Sequence, residues 1–92
     1  GAAPLPTAAR PTLDPKTRRV RTKTTGKILR AALCYTTGNG KWQSRYWENA
    51  ACEIGEKEVT SLLPKGATVF YFNVKDKDGN LVSSEFVELK AP

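Results

Sequence analysis

The chain has 92 residues, 39% of them hydrophobic, 26% charged and none histidine, with a formal net charge of +6. That length supports one core and one domain. Without histidine no Ser-His-Asp or Cys-His arrangement and no His-based zinc site can be assembled. No apolar run approaches the roughly 20 residues that cross a bilayer, so no transmembrane helix is expected. The chain begins Gly1-Ala2-Ala3 and contains no methionine, so it reads as a piece of a longer chain, with Gly1-Ala2 resembling a cloning remnant.

Residues 1–17 hold four prolines and four alanines without periodicity, and they read as an extended Pro/Ala-rich linker, with 18–92 as the folded domain. Residues 1–12 are expected to be disordered and dispensable. Near Thr12-Leu13 the segment could lie along a sheet as an edge strand, where proline is tolerated. The texture changes at Arg18. Arg19-Val20-Arg21-Thr22-Lys23-Thr24 is β-branched and strongly charged, and it reads as a strand turning at Thr25-Gly26-Lys27. Residues 1–30 carry eight basic side chains against Asp14 alone, so the excess charge belongs to this third of the chain. Arg18, Arg19, Arg21 and Lys23 form a candidate polyanion patch. The plainer reading is a charged edge strand that discourages edge-to-edge association. No aromatic is interleaved, so nucleic acid is an unfavoured partner.

Ile28 to Tyr35 follows as an alternating strand, with Leu29, Ala31, Leu33 and Tyr35 taken as the core face because Arg30 lies on the other. Thr36-Thr37-Gly38-Asn39-Gly40 supplies hairpin chemistry, and Lys41 to Trp47 is the expected return strand. A turn near Asn39-Gly40 would place Cys34 opposite Arg45. Ala50 to Ile54 reads as a short strand or crossing, with Ile54 in the core. Glu58–Leu63, Ala67–Val74 and Leu81–Leu89 read as three further strands, the second central because it is the most apolar. About seven strands with turns between them and no helix give an all-β class and an antiparallel sandwich.

Several residues are candidates for chemistry. Trp42, Tyr46 and Trp47, with Gln43 and Arg45 beside them, form the densest aromatic cluster. Such a surface can stack on a sugar ring or anchor a protein, although one Trp can equally fill the core. Asp76, Asp78 and Asn80 match the first three positions of a calcium loop. The closing position is Val87, however, and Lys75 and Lys77 repel a cation, so a plain hairpin is the favoured reading and no metal or other cofactor is expected. Tyr35 and Tyr71 read as packing residues, and Ser83-Ser84 lies on a strand rather than a nucleophile elbow. Cys34 and Cys52 have neither metal spacing nor a CxxC pattern. Their strand parities point into different layers, which favours two free thiols slightly over the disulfide an oxidising compartment would promote.

The order of Tyr35-Thr36-Thr37-Gly38, Lys41-Trp42-Gln43, Leu63-Pro64-Lys65-Gly66, Val69–Val74, the Asp-rich Gly turn and Ser83-Ser84-Glu85 resembles the fibronectin type III-like or immunoglobulin-like accessory domains of secreted bacterial hydrolases. The resemblance covers residues 28–89. It implies a sandwich of the immunoglobulin/fibronectin III type, no catalytic residue, and a secreted, periplasmic or cell-surface location. It also implies a noncatalytic accessory role, with a catalytic domain of the same parent chain as partner. A carbohydrate-binding module working through Trp42–Trp47 and a polyanion binder working through Arg18–Lys27 are the alternatives. The domain is expected to be a monomer.

Overall fold

A computed structural model describes residues 5–37 and 47–89. Its elements are all strands. They are β1 (Thr7–Ala8), β2 (Thr12–Leu13), β3 (Arg19–Thr25), β4 (Ile28–Thr36), β5 (Glu48–Ala51), β6 (Glu53–Ile54), β7 (Glu58–Leu62), β8 (Val69–Asp76), β9 (Leu81–Ser83) and β10 (Val87–Glu88). Two antiparallel sheets result. In the first, β1 and β2 both pair with β3, which pairs with β7 and then β6. In the second, β9 and β10 both pair with β8, followed by β4 and β5. The described residues form ten strands rather than about seven: three stretches of chain are interrupted, the stretch read as linker supplies two strands, and the expected return strand over residues 41–47 lies outside the described residues except for Trp47. β1 and β2 share one edge of β3, β9 and β10 share one edge of β8, and β5 and β6 are separated only by Cys52. No helix among the described residues is long and apolar enough to cross a membrane.

The core lies between the sheets. β3 alternates strictly, with Val20, Thr22 and Thr24 buried and Arg19, Arg21, Lys23 and Thr25 exposed. β7 contributes Val59 and Ser61 opposite them. From the second sheet come Leu33, Phe70, Phe72 and Val74, each almost entirely excluded from solvent. β8 is central, as its apolar run implied.

Three expectations are corrected. Residues 7–8 and 12–13 are paired strands, and Pro6 and Pro11 are buried, so this stretch is not a linker throughout. Pro6 lies over Gly26, whose φ of 84° belongs to a turn that glycine adopts without steric cost, and a Cβ there would meet Pro6 Cβ at 3.3 Å. In β4 the register shifts between Ile28 and Arg30, so Ile28 enters the core and Leu29 stands 53% exposed. One extra residue at a bulge reverses the face of everything on its far side. Ile54, taken as core, is 40% exposed, because β6 is a two-residue edge and not an inner strand.

The chain changes sheets at Cys52. β5 pairs with β4 through Leu33↔Ala50 and Cys34↔Asn49, and β6 pairs with β7 through Glu53↔Thr60. Ser61, on the inner face of β7, donates to the Ala51 carbonyl at 2.6 Å and ties the crossing to the opposite sheet. The partner of Cys34 is Asn49 and not Arg45, because the β4–β5 register sets Leu33 against Ala50 and Tyr35 against Glu48.

Candidate binding faces of the sandwich

Each sheet turns one face outward, and the two faces differ in chemistry. On the outer face of the second sheet, antiparallel pairing sets the side chains in rows. Arg30, Lys75 and Leu81 form one row, Ala32, Asn73 and Ser83 the next, and Asn49, Cys34 and Tyr71 the third. Trp47, just before β5, packs edge-on against Tyr71, with ring centroids 5.4 Å apart and planes at 67°. That geometry suits the opposed edge and face charges of two aromatic rings. Trp42, Gln43, Arg45 and Tyr46, the rest of the expected cluster, lie outside the described residues. The expectation of a Trp on a sheet surface therefore rests on Trp47, which is half-buried.

Beneath these rings the Cys34 thiol is only 5% exposed, although it belongs to the outer face. It donates to Asn49 Oδ1 at 3.1 Å and accepts from Asn73 Nδ2 at 3.3 Å. Asn73 Oδ1 in turn accepts from Ser83 Oγ. The result is a polar chain that crosses β5, β4, β8 and β9 and holds both asparagine amides in place. Partial burial, and then its contacts with Cys34, push the Tyr71 phenol above its ordinary value of 10.0. Tyr71 is therefore an outer-face residue, whereas Tyr35 packs against the core as expected.

A shallow depression of about 290 Å³ is lined by Arg30, Lys75 and Leu81 of one row, by Ala32 and Asn73 of the next, and by Ala31 and Val74. Neither Arg30 nor Lys75 pairs with a carboxylate among the described residues, where the ion pairs are Arg10–Glu85 and Arg21–Glu58.

The first sheet presents the expected basic patch. Arg19, Arg21 and Lys23 project outward from β3, but their cross-strand neighbours dilute the charge. Arg21 pairs with Glu58 at 3.9 Å, Glu58 sits opposite Lys23, and Glu53 follows on β6. Arg18 is withdrawn from the patch. Its backbone takes the left-handed conformation, φ 61°, and its guanidinium donates to the carbonyls of Leu63 and Pro64 at 3.1 and 3.0 Å. It serves as a brace for the β7–β8 turn, a role that sequence spacing does not announce.

The Asp76 loop is self-contained. Its carboxylate accepts from Asn80 Nδ2 at 3.0 Å and from the amides of Asp78 and Asn80 at 2.9 Å each. These donors, the Asn80 side chain foremost, hold it below the ordinary 3.8. The oxygens a calcium ion would need from Asp76 are thus engaged in forming the β8–β9 turn. Cys34 and Cys52 are both free thiols. Burial pushes Cys52 up to about 11, which disfavours the reactive thiolate.

Compared with protein-family models, curated proteins and solved structures, the chain matches none.

Proposed function

We propose that this domain is a noncatalytic accessory module, of the immunoglobulin or fibronectin III type, within a larger secreted hydrolase. The observation that carries the reading is the strand order. Among the described residues, joining each interrupted pair yields seven ribbons, three in one sheet and three in the other, with the β5–β6 ribbon passing from one sheet to the other at Cys52. That arrangement fits the seven-stranded sandwiches of this type. The resemblance noted over residues 28–89 supplies the secreted, hydrolase-associated context. In this role the domain spaces and orients a catalytic neighbour and offers its sheet faces for contact.

A second reading is favoured by a separate observation. Trp47 against Tyr71, beside the fixed amides of Asn49 and Asn73, has the makings of a carbohydrate-binding surface, with a ring platform flanked by oriented hydrogen-bonding groups. The polyanion reading is weaker, because Glu53 and Glu58 are interleaved with the β3 cations.

The accessory role is tested on the parent chain. Excising these residues should leave the catalytic domain's chemistry intact while lowering the stability or surface-bound turnover of the whole protein. Hydrolysis of nitrophenyl esters by the isolated 92-residue domain, persisting through repurification, would overturn the reading.

A further inference from the structure

The outer face of the second sheet combines features that an ordinary wet sheet face lacks. Along β8, Tyr71, Asn73 and Lys75 stand on one side at alternate positions. At 3.3–3.4 Å per residue the span from Tyr71 to Lys75 is about 13 Å, the length of a short oligosaccharide. The ends of the span differ in character. One is aromatic, where Trp47 meets Tyr71. The other is cationic, where Arg30 and Lys75 are cross-strand neighbours and lack carboxylate partners among the described residues. Like charges directly opposite one another in a sheet are destabilising, and among the described residues no carboxylate pairs with either cation. The depression of about 290 Å³ lies at the cationic end, lined by Arg30 and Lys75 and reaching Asn73, whose amide is already oriented by Ser83 and Cys34.

We propose that this face binds an acidic oligosaccharide, with a sugar ring against the Trp47–Tyr71 end and a uronate carboxylate against Arg30 and Lys75. The inference deepens the carbohydrate-binding reading and rests on it. The ring end supplies apolar contact area, Asn73 hydrogen-bonds to hydroxyls, and the paired cations select a charged chain over a neutral one. Charge complementarity decides the class of occupant. A neutral glycan would leave Arg30 and Lys75 facing each other uncompensated, whereas a carboxylate between them relieves the repulsion and gains charge-assisted hydrogen bonds.

The test is affinity electrophoresis of the intact domain in gels containing polygalacturonate, with neutral xylan gels in parallel. Retardation is expected in polygalacturonate and not in xylan. Arg30→Gln combined with Lys75→Gln should weaken it about tenfold, the scale of losing a pair of charge-assisted contacts. Trp47→Ala should weaken it comparably, with melting temperatures recorded so that loss of binding is distinguished from loss of fold. Arg19→Gln combined with Lys23→Gln, on the opposite sheet, should leave retardation unchanged although it removes the same charge. Equal loss from that control would show a mere net-charge effect and overturn the proposal. So would retardation that survives the Arg30/Lys75 substitutions, or the absence of any retardation. Retardation in xylan alone would keep the carbohydrate-binding reading and refute the acidic ligand.

Discussion

Replacing Ser84 by alanine should be costly out of proportion to the single oxygen removed. β9 pairs with residues 73–75 of β8 and β10 with residues 69–70, so the ladder lapses at Tyr71 and Phe72. Ser84 fills the lapse. Its amide donates to the Phe72 carbonyl at 2.8 Å, and its hydroxyl accepts from the Phe72 amide at 2.9 Å while donating to the Glu85 carbonyl at 2.9 Å. Phe72 is fully buried and Ser84 is 7% exposed, so water does not readily replace the lost oxygen. A buried amide stripped of its acceptor costs about 1–3 kcal/mol, and the near-equal volumes of serine and alanine leave little cavity cost to add. Against a total stability of about 5–14 kcal/mol for a chain of this size, a loss of about 2 kcal/mol is large. It corresponds to a fall in Tm of about 8–16 °C. Urea denaturation should show a lower midpoint at unchanged m, and the Phe72 amide should exchange with solvent faster than its neighbours on β8. Ser83→Ala, one residue away but exposed, should change stability by less than about 0.5 kcal/mol. If Ser84→Ala costs no more than Ser83→Ala and Phe72 exchange is unaltered, the hydroxyl does not close the ladder.

Deleting residues 1–11 removes the Ala9–Lys23 backbone bond at 2.8 Å, the Thr22 hydroxyl's acceptor at 2.6 Å and the Thr7–Thr25 hydroxyl contact at 2.6 Å. At about 1 kcal/mol per bond, with the burial of Pro6 and Pro11 in addition, thermal denaturation should report a loss of about 2–4 kcal/mol, and an unchanged Tm would return the segment to linker status. Thiol titration of the denatured, unreduced protein should count both cysteines as free. Because the folded Cys52 thiol titrates near 11 rather than 9.0, its contribution to stability is full below pH 9 and is lost as pH rises toward 11. Cys52→Ala should flatten that alkaline slope in pH-dependent denaturation curves. Asp76 has the opposite sign. Its carboxylate is held below 3.8, so its contribution is present above that pH and is lost as pH falls through the depressed value, and Asp76→Asn should blunt the acid limb of the stability profile.

The sites divide in the same way as these effects. The aromatic signal near residue 47 was legible in the sequence because aromatics are concentrated there, but its partner was not. Tyr71 reads as core from the apolar run around it, and only the alternation of β8 turns it outward. Arg30 and Lys75 lie far apart in the chain and meet only through the β4–β8 register. Arg18 counts as one more cation in a basic run until its positive φ aims its guanidinium at the Leu63 and Pro64 carbonyls.

The sequence by itself determined the all-β class, the central place of Val69–Val74, the outward row of Arg19, Arg21 and Lys23, and the Asp-Gly turn. Each is a local property, written in side-chain alternation or in the backbone preferences of one or two residues. Tertiary structure alone decided the rest. The bulge beside Leu29, the pairing of Thr7–Ala8 and Thr12–Leu13, the sheet change at Cys52 and the ladder repair by Ser84 all depend on which strand lies alongside. A short or proline-bearing segment acquires strand geometry only when a neighbour satisfies its backbone groups, and a register shift of one residue exchanges core for solvent.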